Sequence, residues 1–507
     1  MIKPETDNIF SDLSKIVKGA GVIFSGSLLG KILIFFYSIL IARYFDIEDV
    51  GIYFLGLSIT EFIASIALLG LDVAMVRFIA IYDSEKDINR KKGTMLACVG
   101  IAMLVSILAA ILLYLSSEYI SYTLFKKPNL KIVLLLFSLS IPFLALKKIF
   151  LASIEGLKLM QYSVYTNNVA EVGLRFSFTL IFIYLFKSDL KGLIIANLIT
   201  SILTALLAFY YATKFIPILN NKIKPIYEFK NLLNFSLPLV LSRLFFSLMS
   251  SVDTFLLGYL SSATNVAIYN IVMRIVSIAT LAQTGFNQIF SPFVADLHNR
   301  NEVNKLSNLF KIASKWTFAI SLPLFLLFII FPWYFLTIFG GSFTEGAACL
   351  IVISIAYLLN STLSLSATLI SMSGRSDITL KNNIVAAFFN FILIYLLIPK
   401  FGALGAAIGT GISIIILNLF RVTEVYYLMR IHPFRLDYLK PLFAGLISIV
   451  TALLIQNNLS NTGNTILTII IIGFLCSYLF LVYIFKLSEE EIYIKNILSS
   501  KLILLLQ

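Results

Sequence analysis

Apolar runs of about twenty residues recur along the whole chain, and each is long enough to cross a hydrocarbon core of about 30 Å as a helix. A soluble chain of 507 residues would alternate polar and apolar faces. Here 59% of residues are hydrophobic and the mean hydropathy is +0.95, against roughly 45–50% apolar content in soluble domains. These runs predict an all-α polytopic membrane protein with about fourteen transmembrane helices.

The basic balance, +13 overall, follows topology rather than nucleic acid. Basic residues gather in alternate loops, around residues 77–92, 147–158, 214–230, 300–315 and 430–440. With both termini these hold roughly 27 of the 39 Lys and Arg, against about 7 on the opposite side. The positive-inside rule then puts both termini in the cytoplasm of a multi-pass cell-membrane protein.

Four short patterns recur in order at an offset near 215 residues. Val50-Gly51-Ile52-Tyr53 returns as Val266-Ala267-Ile268-Tyr269, and Asn167-Asn168-Val169 as Asn382-Asn383-Ile384. Gly192–Thr200 returns as Gly405–Ser413, and Gly156 and Gly374 precede the two Asn pairs by similar intervals. A duplicated six-span unit accounts for all four, and six spans make the copies parallel repeats. The expected division is therefore a cytoplasmic N-terminus (1–15), an N-lobe (16–215), a linker (216–234), a C-lobe (235–430), two added helices (431–487) and a cytoplasmic tail (488–507). Gly26 and Gly30 in the first span, and Gly405 and Gly409 in the twelfth, are read as close-packing positions.

Charges inside the spans carry the functional information. Lys31, Arg175, Arg243 and Arg274 sit within apolar runs, where one charge costs roughly 2.5–3.5 kcal/mol on the mildest scale. Each has a structural alternative: Lys31 could pair with Glu61, Arg175 with Glu171 one helical turn before it, and Arg274 with Asp253. Lys31, Arg243 and Arg274, drawn from both copies, would suit a diphosphate, because guanidinium binds phosphate oxygens through two parallel hydrogen bonds. Lys31 and Arg243 also occupy roughly equivalent places in the two copies.

Other chemistries lack their residues. Gly26–Lys31 resembles a phosphate loop only superficially, with the wrong spacing and Ile32 in place of Ser or Thr. Cys98, Cys349 and Cys476 have no CxxC or His partner, so no metal site, disulfide or cofactor is expected. No nucleophile with an adjacent base stands at membrane depth, so the chain is not expected to be an enzyme.

The chain resembles the Wzx-like oligosaccharide and polysaccharide flippases of the MOP exporter superfamily, related in fold to MATE transporters. The resemblance runs through Gly26–Tyr53, Leu69–Ala80, Phe235–Tyr269, Ser373–Asp377 and Pro399–Ser413. It implies two lobes about a cationic cleft that carries a polyprenyl-diphosphate-linked oligosaccharide to the outer leaflet by alternating access, with the last two spans offering a groove for the lipid tail. Lys31, Arg243 and Arg274 would then be cleft positions, and Asp72 and Arg77 would lie at the cytoplasmic mouth. Glu61 and Asp253 are candidates for coupling to H+ or Na+, with Glu171 and Arg175 in support. Partners would be membrane lipids and glycan-assembly enzymes. Two other readings stay open at this point. A multidrug cation antiporter on the same fold would want twelve spans and an acidic pocket; a membrane glycosyltransferase or polymerase would want a large outer loop or an acidic catalytic motif.

Overall fold

The computed structural model describes residues 25–458 and 464–484. The expected N-terminal and C-terminal tails, 1–15 and 488–507, lie outside the described residues. Those described form helices joined by short turns, with no strand among them. Their contacts divide the chain into two compact units. The first holds everything to Leu281 together with Phe335–Ile353 and Asn383–Ser413; the second holds Ala282–Tyr334, Ser354–Asn382 and the chain from Ile414 onward.

The first unit begins with α1 (Ser25–Tyr44), α2 (Ile47–Ala67), α3 (Leu71–Ser84) and α4 (Ile88–Tyr119). Then come α5 (Leu130–Ser138), α6 (Ile141–Gly156) and α7 (Met160–Val164). A π-helical turn, Tyr165–Ala170, joins α7 to α8 (Glu171–Tyr184), and α9 (Leu190–Phe215), α10 (Phe229–Leu260) and α11 (Ala263–Ala279) follow. Local signals set the helix starts. The Asp87 carboxylate accepts from Arg90 N at 2.9 Å and the Ser262 hydroxyl from Asn265 N at 3.2 Å, each satisfying a donor at a helix N-terminus. Leu71, Met75 and Ile79 of α3 pack with Cys98 and Ala102 of α4, Ile149 and Ile154 of α6, and Ala208 and Ala212 of α9. Outside this core, Leu104, Leu108, Leu112 and Leu115 of α4 remain exposed. A stripe of that kind is a surface for lipid, not water.

The small residues of α1 are packing positions. A Cβ on Gly26 would come within 2.3 Å of Val164, and one on Gly30 within 2.9 Å of the Asn168 carbonyl oxygen. The glycines let α1 press against the π-turn, and α1 runs through them as continuous helix.

The second unit is built on α12 (Leu281–Asn299), α13 (Val303–Ile330), α16 (Leu365–Met372), α19 (Leu439–Asn458) and α20 (Asn464–Ile484). Between α13 and α16 run α14 (Pro332–Thr337) and α15 (Ala347–Leu363), both divided between the units, as are α17 (Ser376–Phe401) and α18 (Ala403–Met429). Its core gathers Phe290 and Val294 of α12, Phe310 of α13, Leu365 and Leu369 of α16, and Val425 of α18. Tyr478 of α20 donates to the Ala319 carbonyl of α13 at 2.7 Å.

Nine helical stretches among the described residues are long and apolar enough to cross a membrane, or eleven if each of two broken pairs is one span. The fourteen expected from sequence are not reproduced by that count. Part of the difference is a 53-residue stretch, Asp377–Met429, counted once. It is broken at Gly402, whose φ of +54° glycine adopts without a Cβ penalty and which separates α17 from α18. Three basic segments read as loops are largely helical, since α3 continues to Ser84, α6 continues to Gly156 and α13 begins at Val303. The linker ends at Glu228, and Lys92 pins it through the carbonyls of Asn220 (2.7 Å) and Ile223 (3.1 Å).

Candidate functional site

The charges singled out in the sequence meet in the first unit, but not in the pairs first drawn. Lys31 is not paired with Glu61. Its ammonium donates to the Ser277 carbonyl (3.2 Å) and the Thr280 hydroxyl (3.4 Å), at the C-terminal end of α11. That end has unsatisfied carbonyls and a partial negative charge, which suit a cation without neutralising it. Arg274 lies one turn earlier on α11, half-buried, its guanidinium 5.9 Å from the centre of the Phe54 ring. It has no hydrogen-bond or ion-pair partner among the described residues, so the Asp253 pairing is not formed.

Glu171 and Arg175 do pair within α8 at 2.8 Å, as their i,i+4 spacing predicts. A third member was missed: Lys147 of α6 reaches the other Glu171 oxygen at 2.5 Å and is itself buried. The sequence signal was there, two lysines following an apolar run, but it was read as a loop. Arg243 of α10 is not a bare cation; it meets Asp72 of α3 at 2.6 Å. The second Asp72 oxygen is buried without a hydrogen-bond partner. Arg77 stacks its guanidinium 4.3 Å from the centre of the Phe235 ring.

Asp72, Arg77, Lys148, Glu155, Asn167 and Arg243 line a cavity of about 360 Å³ within this unit. Lys148 is exposed toward it. Glu61 is exposed, has no ion-pair partner within 4 Å among the described residues, and lies in electrostatic range of Lys148, Arg175 and Arg274. Lys31, Arg77, Lys147, Lys148, Arg175, Arg243 and Arg274 thus share the region with four carboxylates, Glu61, Asp72, Glu155 and Glu171. Seven cations against four anions leave a positive surplus.

Asp253 sits apart from these cations. The Tyr269 hydroxyl donates to it, with the Thr410 hydroxyl at 3.1 Å and the Asn390 amide at 3.2 Å. In the other sequence copy Tyr53 holds the corresponding place, bonded to the Tyr37 hydroxyl (2.9 Å) and the Asn197 amide (3.0 Å). Tyr37 therefore matches Asp253, and this register moves Lys31 one turn away from equivalence with Arg243.

The model of the polysaccharide biosynthesis protein family matches residues 16–281, more than half of the chain. The chain belongs to that family. A second family model, MatE, matches residues 238–396. An uncharacterised membrane protein of Methanocaldococcus jannaschii is 24% identical over 501 residues, covering 96% of this chain and 98% of its own. A putative O-antigen transporter of Shigella flexneri is 22% identical, with 74% of this chain and 89% of its own covered. Among solved structures, the inward closed conformation of the lipid II flippase MurJ aligns with a TM-score of 0.74 at 19% identity, covering 92% of this chain and 98% of that one. The fold of this family member is thus the one shared by MurJ and the MATE transporters. These names are transporter and flippase names, not enzyme names.

Proposed function

We propose that the protein is a flippase that carries a polyprenyl-diphosphate-linked oligosaccharide from the cytoplasmic to the outer leaflet, by alternating access, for surface glycan assembly. The observation that carries this reading is Arg274 with Lys31: two neighbouring cations with no ion-pair partner within 4 Å among the described residues, inside a region where cations outnumber acids. A charge held so at membrane depth faces water or an anion, and a diphosphate offers oxygens that match guanidinium geometry. The family match and the names of the relatives support a glycan cargo. Residence in the cell membrane with both termini cytoplasmic belongs to the same proposal, as do a two-lobed cleft and glycan-assembly enzymes as partners.

Asp253 would couple transport to H+ or Na+. Its three hydrogen-bond donors are neutral, so the carboxylate keeps the capacity to take up a positive charge. The same carboxylate and the MatE match favour a second reading, a cation antiporter; the positive surplus around Arg274 opposes it. The test is flipping of a fluorescent polyprenyl diphosphate sugar in proteoliposomes holding the full chain. Arg274→Ala should lower the rate at least tenfold while the protein still inserts. An unchanged rate, or faster movement of an organic cation than of the lipid, overturns the proposal.

A further inference from the structure

The cavity of about 360 Å³ in the first unit is walled mainly by α3 and α6. Gly156 lets these helices close on each other, since a Cβ there would come within 2.9 Å of the Val76 carbonyl oxygen. That approach sets Arg77 of α3 and Lys148 of α6 in one cavity lining. Lys31 and Arg274 lie outside this lining.

Three cations and two acids line the cavity, and both acids are already engaged. Asp72 holds Arg243 at 2.6 Å, and its second oxygen is buried. Glu155 accepts from the buried Ser163 hydroxyl at 2.5 Å. The two remaining cations have no such partner. Arg77 meets the Phe235 ring, a contact that uses none of its N–H donors. Lys148 has no hydrogen bond, and no ion pair within 4 Å, among the described residues.

Basic residues that only mark the cytoplasmic side stand in loops, where water serves them. Lys148 stands eight residues before the end of α6, about 12 Å along the helix. A cation left unpaired at such depth lines a path or meets an anion. With its acids occupied, this wall lacks negative charge. A guanidinium fork and a lysine point charge together suit phosphate oxygens.

We propose that the cavity is a second phosphate station, where Arg77 and Lys148 hold the diphosphate of the lipid-linked cargo before it reaches Lys31 and Arg274. The order follows from the topology proposed above, in which α3 leads into the basic cytoplasmic segment that begins at residue 77. Glu61 lies in electrostatic range of both Lys148 and Arg274, so one carboxylate couples the two stations. The identity of the anion rests on the flippase reading above.

The experiment reads alkylation of a cysteine in the cavity wall, Val76→Cys, on the full chain in nanodiscs. Cys476→Ser removes the exposed native thiol, and Cys98 and Cys349 are buried. Polyprenyl diphosphate without sugar should slow the alkylation, and uncharged polyprenol should not. Lys148→Gln should raise the half-protecting concentration about tenfold, the worth of one hydrogen bond to a charged group. Arg77→Gln should act in the same direction, which keeps the test open if one variant fails to fold. Lys148→Arg keeps the charge and should keep the protection, and Arg274→Gln should leave the cavity protected. No protection in the wild type, equal protection by polyprenol, or protection lost with Arg274→Gln overturns the second station. Protection that both Lys148→Gln and Arg77→Gln leave unchanged overturns it too. Direct binding of labelled polyprenyl diphosphate tells the two failures apart: binding without protection sinks only the station, and no binding at all sinks the flippase reading.

Discussion

Two tyrosines, Tyr53 and Tyr269, occupy matching places in the two sequence copies and organise opposite electrostatics. Around Tyr53 the hydrogen-bond partners are neutral, Tyr37 and Asn197, and the nearby Arg175 belongs to the Lys147–Glu171–Arg175 cluster, which is paired within itself. Around Tyr269 the partner is a carboxylate, Asp253, which also accepts from the neutral groups of Thr410 and Asn390. One tyrosine, duplicated, thus stands in two settings: in the first copy beside neutral groups and a self-paired charge cluster, in the second directly on a carboxylate. The shared tyrosine accounts for the framework of both, and the proposed ion coupling through Asp253 rests on what differs.

The largest effect should come from removing the charge that separates the two. Asp253→Asn keeps the shape of the side chain and removes the carboxylate, so ion-dependent flipping in proteoliposomes should fall to background. Transport that keeps its ion dependence would erase the contrast. Next is Tyr37→Asp, which would place a carboxylate at the matching position of the first copy, in range of Arg175. It should draw Arg175 into a new ion pair and lower diphosphate binding about tenfold; unchanged binding would show that Arg175 does not contribute to the positive field. Smaller again is Arg243→Ala, which strands Asp72, set against Arg243→Ala/Asp72→Asn. The double variant should recover most of the lost thermal stability while transport stays lower than wild type, sharpening which cation serves the cargo and which serves its partner. The mildest pair is Tyr53→Phe and Tyr269→Phe. Tyr53→Phe loses neutral hydrogen bonds worth about 1 kcal/mol in stability and Tyr269→Phe one to a carboxylate worth about 1.5–3 kcal/mol, but only Tyr269→Phe should shift the pH or sodium dependence of flipping.

Local interactions were legible in the sequence, and distant ones were not. The apolar runs announced a helical membrane protein because period and length are properties of a single segment. Glu171 and Arg175 announced their pairing because one helical turn separates them. Asp253 gave no sign that Asn390 and Thr410 would come to it, since those contacts close over 137 and 157 residues. Asp72 and Arg243 were each singled out, yet their meeting depends on how α3 packs beside α10. Lys31 was the hardest to read: its partners are a carbonyl and a hydroxyl where a helix ends, and carboxylate pairing was the only local rule available. The count of spans stays coarser than the expected fourteen: nine stretches of the described residues are long and apolar enough, and one of them, Asp377–Met429, turns at Gly402 into the two helices that the sequence pattern also separates there.

The positive surplus around Arg274 has a thermodynamic consequence. Cations gathered without matching acids repel one another, so the empty protein carries an electrostatic load that an arriving anion relieves. A ligand that binds only the folded form raises its stability by RT ln(1 + [L]/Kd). Under the proposed function cargo and fold are therefore linked quantities, and the protein should melt at a higher temperature in proportion to how well the negative charge of the bound diphosphate fits.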